Sequence, residues 1–184
     1  MPNAVMPQIS LRSHPATQSA AIRSLDVQIS VPTPGRLTLC YHMRCDMARI
    51  RLGPEVVAAR GDDLWKHTCF EAFIQPGGSR GYYEFNFAPT RQWAVYRFDS
   101  YRAGMTPMDL SYPPEISLRK APDFLELVAS FPLPVSGALD AAPRPKLALA
   151  AVVEEDSGRL CYWSARHPDG KPDFHHPDGF TIEL

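Results

Sequence analysis

The chain has 184 residues, of which 19 are Lys or Arg and 20 are Asp or Glu, so its formal net charge is −1. This balance excludes the basic field that nucleic-acid or anionic-membrane binding needs, and no apolar run approaches the roughly 20 residues of a membrane-spanning helix. The first residues lack the charged and apolar regions of a secretory signal. We therefore expect a cytoplasmic protein whose residues 1–184 form one domain.

Proline is the compositional outlier. The chain has 19 prolines and 11 glycines, and a proline share of about 10% is roughly twice the average for proteins. Because proline fits neither helix interiors nor central strands, it divides the chain into short segments. The composition therefore favours an all-β protein with little helix.

The cysteines show no sign of a zinc ribbon or a disulfide framework. They are Cys40, Cys45, Cys69 and Cys161. None belongs to a C-x-x-C pair, and most lie in predicted strands, where a free cysteine usually packs as a small apolar side chain. We expect reduced thiols with a structural role.

Hydrophobic alternation predicts strands from residue 25 onward. Residues 25–31 and 37–43 alternate with period two on either side of the turn Pro32–Gly35, which predicts an antiparallel hairpin. We expect residues 1–22, which precede this hairpin, to be a poorly ordered lead-in. Residues 50–52 are predicted to form a short third strand. The only segments suited to a short helical turn are Pro54–Arg60 and Ser136–Ala142.

The remainder of the chain continues the same pattern. Closely spaced strands at residues 68–75, 82–87 and 93–98 predict a meander. Further strands are predicted at 115–120, 124–131, 146–155, 161–166 and 180–184. About ten short strands separated by regular turn signals indicate an antiparallel sandwich or barrel.

The first polar cluster precedes the predicted strand 68–75. It contains Trp65 and His67. A tryptophan at a loop–strand junction can form a flat platform for a ligand and donate its N–H, or it can close the open end of a sandwich. Both roles are consistent with the sequence.

The second cluster lies on the meander. Period two places Tyr83, Phe85 and Phe87 on one face of their strand and Tyr82, Glu84 and Asn86 on the other. We expect the aromatic trio to be core. Glu84 and Asn86 then face outward, where Glu71 of the neighbouring strand joins them. Trp93 and Arg97 of the next strand would complete a face with the donors, acceptors and aromatic surface that sugars require; a solvated face of paired charges is the alternative.

The third cluster is the His- and Asp-rich segment 163–179. Polar loop residues at this density are often functional, and Arg166 and His167 are candidates for binding an anionic substituent. The spacing matches no dedicated metal site, so we predict no metal. Prolines preset the turns of the loop, and we expect it to fold back near Trp65 with Phe174 as its apolar anchor.

Three blocks together resemble a known family. They are LWKHTCFEAFI, YYEFNFAPTRQWAVYRF and WSARHPDGKPDFHHPDGF. They are similar to the stand-alone bacterial DOMON-like proteins related to family 9 carbohydrate-binding modules, from about residue 25 to the C-terminus. The resemblance implies a jelly-roll-like antiparallel β-sandwich that binds a sugar, or b-type haem, in a pocket.

The resemblance also suggests how each ligand would be held. Family 9 modules clamp a terminal sugar between two Trp rings, for which Trp65 and Trp93 are the candidates. Haem-binding relatives use a Met and a His as axial ligands, and no such pair of this sequence matches the family positions, so no cofactor is predicted.

We interpret the chain as a non-enzymatic binding domain for a carbohydrate or sugar derivative. No G-x-S-x-G nucleophile motif or phosphate-binding loop is present, and a Glu71–Glu84 pair lacks a deep cleft for glycoside hydrolysis. The alternatives are a haem-binding electron carrier and a protein-interaction module; a protein partner is not identified. The predicted ligand-binding residues are Trp65, His67, Glu84, Asn86, Trp93, Arg97, Arg166 and His167.

Overall fold

The computed structural model describes residues 4–5, 8–110, 112–134 and 143–184. Within these ranges the regular structure is almost entirely β strand, and helical structure consists of 3₁₀ turns at Pro15–Thr17, Met47–Arg49, Leu64–Lys66 and Pro177–Gly179. The strands are β1 (Ala4–Val5), β2 (Ile9–Ser13), β3 (Ile22–Thr33), β4 (Arg36–Cys45), β5 (Cys69–Gln75), β6 (Tyr82–Phe87), β7 (Trp93–Phe98), β8 (Thr106–Pro107), β9 (Glu115–Ala121), β10 (Phe124–Pro132), β11 (Lys146–Glu154), β12 (Leu160–Ser164) and β13 (Ile182–Glu183). No helix in these ranges is long and apolar enough to cross a bilayer.

The strands form one curled antiparallel sheet that folds into two layers. The first layer has the order β3-β4-β10-β9, with β1 beside β3. The second layer has the order β8-β7-β6-β5-β11-β12, with β13 beside β11. Strand β2 joins the layers, because its first half pairs with β3 and its end pairs with β12. The predicted all-β, sandwich-like fold with little helix is confirmed.

The main core lies between the two layers. Phe85 and Phe87 of the second layer meet Phe131 of the first, with ring centroids 4.4 and 5.1 Å from it. The hydroxyl of Tyr41 crosses the core and donates to the backbone oxygen of Glu71 at 2.9 Å. Burying each phenylalanine stabilises the fold by about 1.5–3 kcal/mol, so these contacts fix which face of each layer points inward.

The hairpin of β3 and β4 follows its sequence pattern. Leu25, Val27 and Ile29 alternate into the core, and the connection turns at Gly35, whose φ is +78°. Glycine adopts this left-handed conformation without a steric penalty. The predicted hairpin and the β5–β6–β7 meander are both confirmed.

Three expectations from the sequence need correction. Residues 9–13 are not a poorly ordered lead-in, because β2 pairs on both sides and buries Leu11. Pro54–Arg60 contains no helical turn, since its backbone pairs with a neighbouring loop and strand instead, as when Val56 N donates to Thr90 O. Residues 50–52 form no strand, and their sheet-like pairing is an isolated bridge from Ile50 to Glu155. The segment Ser136–Ala142 lies outside the described residues.

A second apolar cluster covers the face of the second layer that points away from the core, which we call the outer face. It includes Phe73, Tyr82, Phe98 and Phe180, with Phe174 packed against it. The C-terminal segment 165–181 runs over these side chains instead of leaving them in solvent. The outer face is therefore a covered surface, and the candidate site lies beneath that cover.

Candidate functional site

The predicted parity of β6 is confirmed. Its core-facing residues are Tyr83, Phe85 and Phe87, and its outward residues are Tyr82, Glu84 and Asn86. In the strand register Glu71 lies opposite Asn86, and Tyr96 lies opposite Glu84. Side chains directly opposite each other share one face of a sheet. Glu71 and Tyr96 therefore join Glu84 and Asn86 on the outer face.

A cavity of about 380 Å³ opens on this face, and we call it the outer cavity. Three alanines of the outer face, Ala94, Ala148 and Ala150, lie among the larger side chains around it and leave room above the sheet. The cavity is at the small end of the roughly 300–1,000 Å³ range of ligand pockets. It is lined by Trp65, Glu71, Glu84, Phe98, Arg102, Met105, Val152, Tyr162, Pro172, Phe174 and His175.

Glu71 and Glu84 are buried acids, with 3% and 5% of their surfaces exposed. Asn86 Nδ2 donates to Oε1 of Glu84 at 2.8 Å, whereas Oε1 of Glu71 has no hydrogen-bond partner among the described residues. Burial raises the pKa of Glu84 to about 7, although the Asn86 hydrogen bond opposes the shift. Burial and repulsion from Glu84 raise the pKa of Glu71 well above its usual range. Both carboxyls therefore retain protons where an exposed glutamate is charged.

Arg102 is the basic group of the outer cavity. It lies in the loop after β7 with a φ of +51°, in the left-handed region. Its Nη2 donates to Oδ1 of Asp173 at 2.7 Å, and the Tyr101 hydroxyl donates to the other carboxylate oxygen. Although burial of Asp173 acts the other way, these hydrogen bonds lower the pKa of its carboxyl. The pair ties the β7–β8 loop to the C-terminal segment.

His175 is a neutral histidine among aromatic rings. Its Nδ1 lies 2.7 Å from the Tyr82 hydroxyl, and its ring centroid lies 5.1 Å from those of Phe73 and Phe98. Burial, with the positive charge of Arg102, lowers its pKa to about 4. The imidazole therefore contributes hydrogen bonding and not charge near neutral pH.

Trp65 forms an aromatic wall of the outer cavity. It belongs to the 3₁₀ turn Leu64–Lys66, and its ring meets Tyr96 edge-on at 5.9 Å. Tyr96 in turn donates its hydroxyl to Asp62 at 3.1 Å, which holds the loop against the sheet. Trp65 therefore lines a cavity, and its role as a platform for a ligand stays a prediction.

Phe174 contributes a further aromatic wall, on the side of the C-terminal segment. It is half-buried, and its ring lies 5.9 Å from that of Tyr162. Phe174 and Trp65 line the same cavity and pack against the same apolar cluster. The prediction that this loop folds back near Trp65 with Phe174 as an anchor is confirmed. Phe180, which is 7% exposed, anchors the same segment more deeply.

Two predicted site residues lie on the wrong face. Trp93 is 6% exposed in the core between the layers, and Arg97 points from the same side of β7 with its side chain paired to Asp99 at 3.0 Å. The register explains the error, since Trp93 lies opposite Phe87, whose side chain faces the core. The expectation that Trp93 and Arg97 share a face with Glu84 is therefore wrong.

Three other predicted residues lie outside the cavity lining. His67 is exposed, and its Nδ1 lies 2.7 Å from Oε2 of Glu154. Arg166 extends to Asp178 at 4.0 Å, also in an exposed position. His167 turns toward the N-terminal strand, with Nε2 2.8 Å from the backbone oxygen of Arg12. Of the predicted residues, the structure brings together Trp65 and Glu84, with Asn86 supporting Glu84 from below.

The sequence interpretation missed Arg102, Tyr162 and His175. Tyr162 had a signal, because it neighbours the core residue Trp163 in β12 and must face the opposite way. His175 belongs to a loop whose composition indicated function, but nothing singled it out from the neighbouring histidines. Arg102 had no signal, since its position depends on a loop conformation. Among the described residues, no group of three His, Cys, Asp or Glu side chains is arranged to hold a metal ion.

No protein-family model matches the sequence, and no curated protein matches it significantly. The fold is similar to a crystal structure from Bacteroides uniformis, described as a "putative carbohydrate-binding protein". The TM-score is 0.67, and the aligned region covers 95% of this chain and 84% of that chain at 17% sequence identity. At this identity the similarity shows a shared fold.

Proposed function

We propose that this protein is a non-enzymatic binding domain that holds a monosaccharide-sized carbohydrate in the outer cavity. The observation that carries the proposal is the placement of two buried carboxyls, Glu71 and Glu84, beside the aromatic rings of Trp65 and Phe174. Aromatic faces cover the C–H surface of a sugar ring, while protonated carboxyls both donate to and accept from hydroxyls.

The similarity in fold is consistent with this function, because the Bacteroides uniformis protein is described as a "putative carbohydrate-binding protein". The sequence blocks that resemble DOMON-like proteins and family 9 carbohydrate-binding modules contribute Trp65, Glu71 and Glu84 to the cavity.

The side chains that line the outer cavity favour a sugar over haem as the ligand. A haem site of the DOMON type needs a Met and a His facing each other across an apolar pocket. Met105 and His175 both line the outer cavity, but so do two acidic residues. The ring nitrogens of His175 face the Tyr82 hydroxyl at 2.7 Å and a Glu84 oxygen at 3.7 Å. These residues do not fit an axial ligand pair.

Titration of the purified chain with a panel of mono- and disaccharides tests the proposal. We expect at least one sugar to bind with a Kd below about 1 mM and to change the tryptophan fluorescence. Trp93 and Trp163 are each 6% exposed in the core, so Trp65 is the residue that reports. If no sugar in the panel binds below that concentration by calorimetry, the proposed function is wrong.

Trp65→Ala should weaken binding of the same sugar by about tenfold or more, equivalent to about 1.4 kcal/mol. Tyr112→Ala is the matched control, because Tyr112 is an aromatic residue with 74% of its surface exposed and does not line the cavity. Equal losses in the two variants would contradict the assigned site.

A further inference from the structure

The outer cavity holds two acids without a free basic partner in the described part of the chain. Two acids line it, whereas Arg102 is already paired with Asp173 at 2.7 Å. The other basic side chain, His175, is half-buried, and its Nδ1 lies 2.7 Å from the Tyr82 hydroxyl. Among the described residues, the cavity lining therefore offers Glu71 and Glu84 no cation that is not already hydrogen-bonded elsewhere.

The two carboxyls also differ in how well they are bound. Oε1 of Glu84 accepts from Asn86, while Oε1 of Glu71 has no partner among the described residues. Because Glu71 lies opposite Asn86 and Glu84 opposite Phe73, the two acids are diagonal neighbours on adjacent strands. A buried acceptor without a donor costs free energy. A ligand that fits this site therefore supplies the donor that Glu71 lacks.

A primary ammonium group has the donors and the positive charge that the side chains around Glu71 and Glu84 do not supply. It carries three N–H donors and a positive charge, and charge-assisted hydrogen bonds to carboxylates are stronger than neutral ones. A hydroxyl supplies a single donor and no positive charge. Diagonal neighbours on a sheet, about 7–8 Å apart at the Cα atoms, leave space for such a group between their side chains.

We propose that the ligand is an amino sugar with a free primary amine, and that its ammonium group binds between Glu71 and Glu84. This inference rests on the proposed carbohydrate-binding function and specifies the ligand class. Because burial raises the pKa of both carboxyls while the cavity is empty, binding of the ammonium group below about pH 7 releases a proton.

Other titratable groups near the two acids do not supply that proton. Each is a phenol, a thiol, an imidazole or a guanidinium whose protonation state is constant near neutral pH. They are Tyr41, Cys69, Tyr82, Tyr96, Arg102 and His175.

Calorimetry on the full chain compares a hexosamine, its parent hexose and its N-acetyl derivative in two buffers of different ionisation enthalpy. We expect the free amine to bind at least about tenfold tighter than either relative, with a buffer-dependent enthalpy that reports proton release. Equal or tighter binding of the parent hexose or the N-acetyl sugar overturns this inference and leaves the proposed function intact. Failure of all three to bind counts against the proposed function itself.

Glu71→Gln provides the matched test of the contact. The variant should bind the hexosamine and its parent hexose with affinities within about threefold of each other. Glu126→Gln on β10, in the other layer, should keep the full preference. A preference that survives in Glu71→Gln overturns the assignment of this carboxyl. The ligand comparison on the unaltered chain decides the ligand class even if this variant does not fold.

Discussion

At the scale of single residues, Glu84 links the outer cavity to the stability of the fold. Its pKa rises from 4.5 to about 7 on folding, first because of burial. Between these values the unfolded chain has lost the proton that the folded chain still holds. The unfolded state then binds fewer protons, so the free energy of unfolding falls as the pH rises from about 4.5 to 7. The raised pKa of Glu71 acts in the same direction.

Glu84→Gln should remove this dependence, because an amide does not ionise. We expect the melting temperature of the variant, relative to the unaltered protein, to rise between about pH 4.5 and pH 7. His175 contributes the opposite trend, since its depressed pKa of about 4 costs stability as the pH falls below 6.5. Thermal melts of both proteins at several pH values isolate the Glu84 contribution, because the His175 effect is common to both. A difference that stays constant with pH would contradict the assigned shift.

The residue scale also shows where sequence reasoning succeeds. Strict alternation along β6 correctly separated Glu84 and Asn86 from the aromatic core. The same parity rule, applied to the register of β6 and β7, would have placed Trp93 beside Phe87 in the core. The prediction that Trp93 and Arg97 belong to the site rests instead on the chemistry of their side chains. Arg102 reaches the cavity through a loop with positive φ, which no periodic pattern predicts.

At the scale of elements, the segment after β12 covers the outer cavity, and we call this covering segment the roof. Phe174 and Phe180 pack this segment against the outer face, and Asp173 accepts a hydrogen bond from Arg102. Among the described residues, the backbone of this segment bonds to β11 at Ala165 and through β13, which is two residues long. Side-chain packing therefore holds this roof, so a single truncation should loosen it.

Phe174→Ala tests this role. We expect a loss of about 1–3 kcal/mol, below the roughly 3–5 kcal/mol of a fully buried phenylalanine because Phe174 is only half-buried. Amide hydrogen exchange should accelerate across residues 167–179. Phe124→Ala, at a half-buried position on the other layer, is the control and should leave that exchange unchanged. If Phe174→Ala loses stability with the loop still protected, other contacts hold the roof.

The elements that the sequence missed are short or paired at long range. Strand β2 has five residues and buries Leu11, so its alternation is too brief to distinguish it from a loop. Its partner Trp163 lies 150 residues further along the chain than Ser13. Strand β8 contains only Thr106 and Pro107. Local patterns identified the long strands, while tertiary pairing determined these.

At the scale of the whole molecule, the topology depends on pairings between distant segments. The β3–β4 hairpin is local, but β5 pairs with β11 and β2 closes the sandwich against β12. All-β proteins dominated by such contacts fold in milliseconds to seconds, because chain entropy is lost before the contacts form. We expect the main refolding phase of this protein in that range by stopped-flow fluorescence. A main phase faster than about 0.1 ms would contradict this expectation.

Among the described residues, the main path of the curled sheet ends at β8 and β9. An exposed strand edge is a template on which another chain can add a strand and start a fibril. Here β8 is two residues long and includes Pro107, which has no N–H to offer. The edge strand β9 carries Glu115, Arg119 and Lys120, whose charges oppose stacking of identical copies. Both ends of this path therefore carry features that discourage the addition of a strand from another copy.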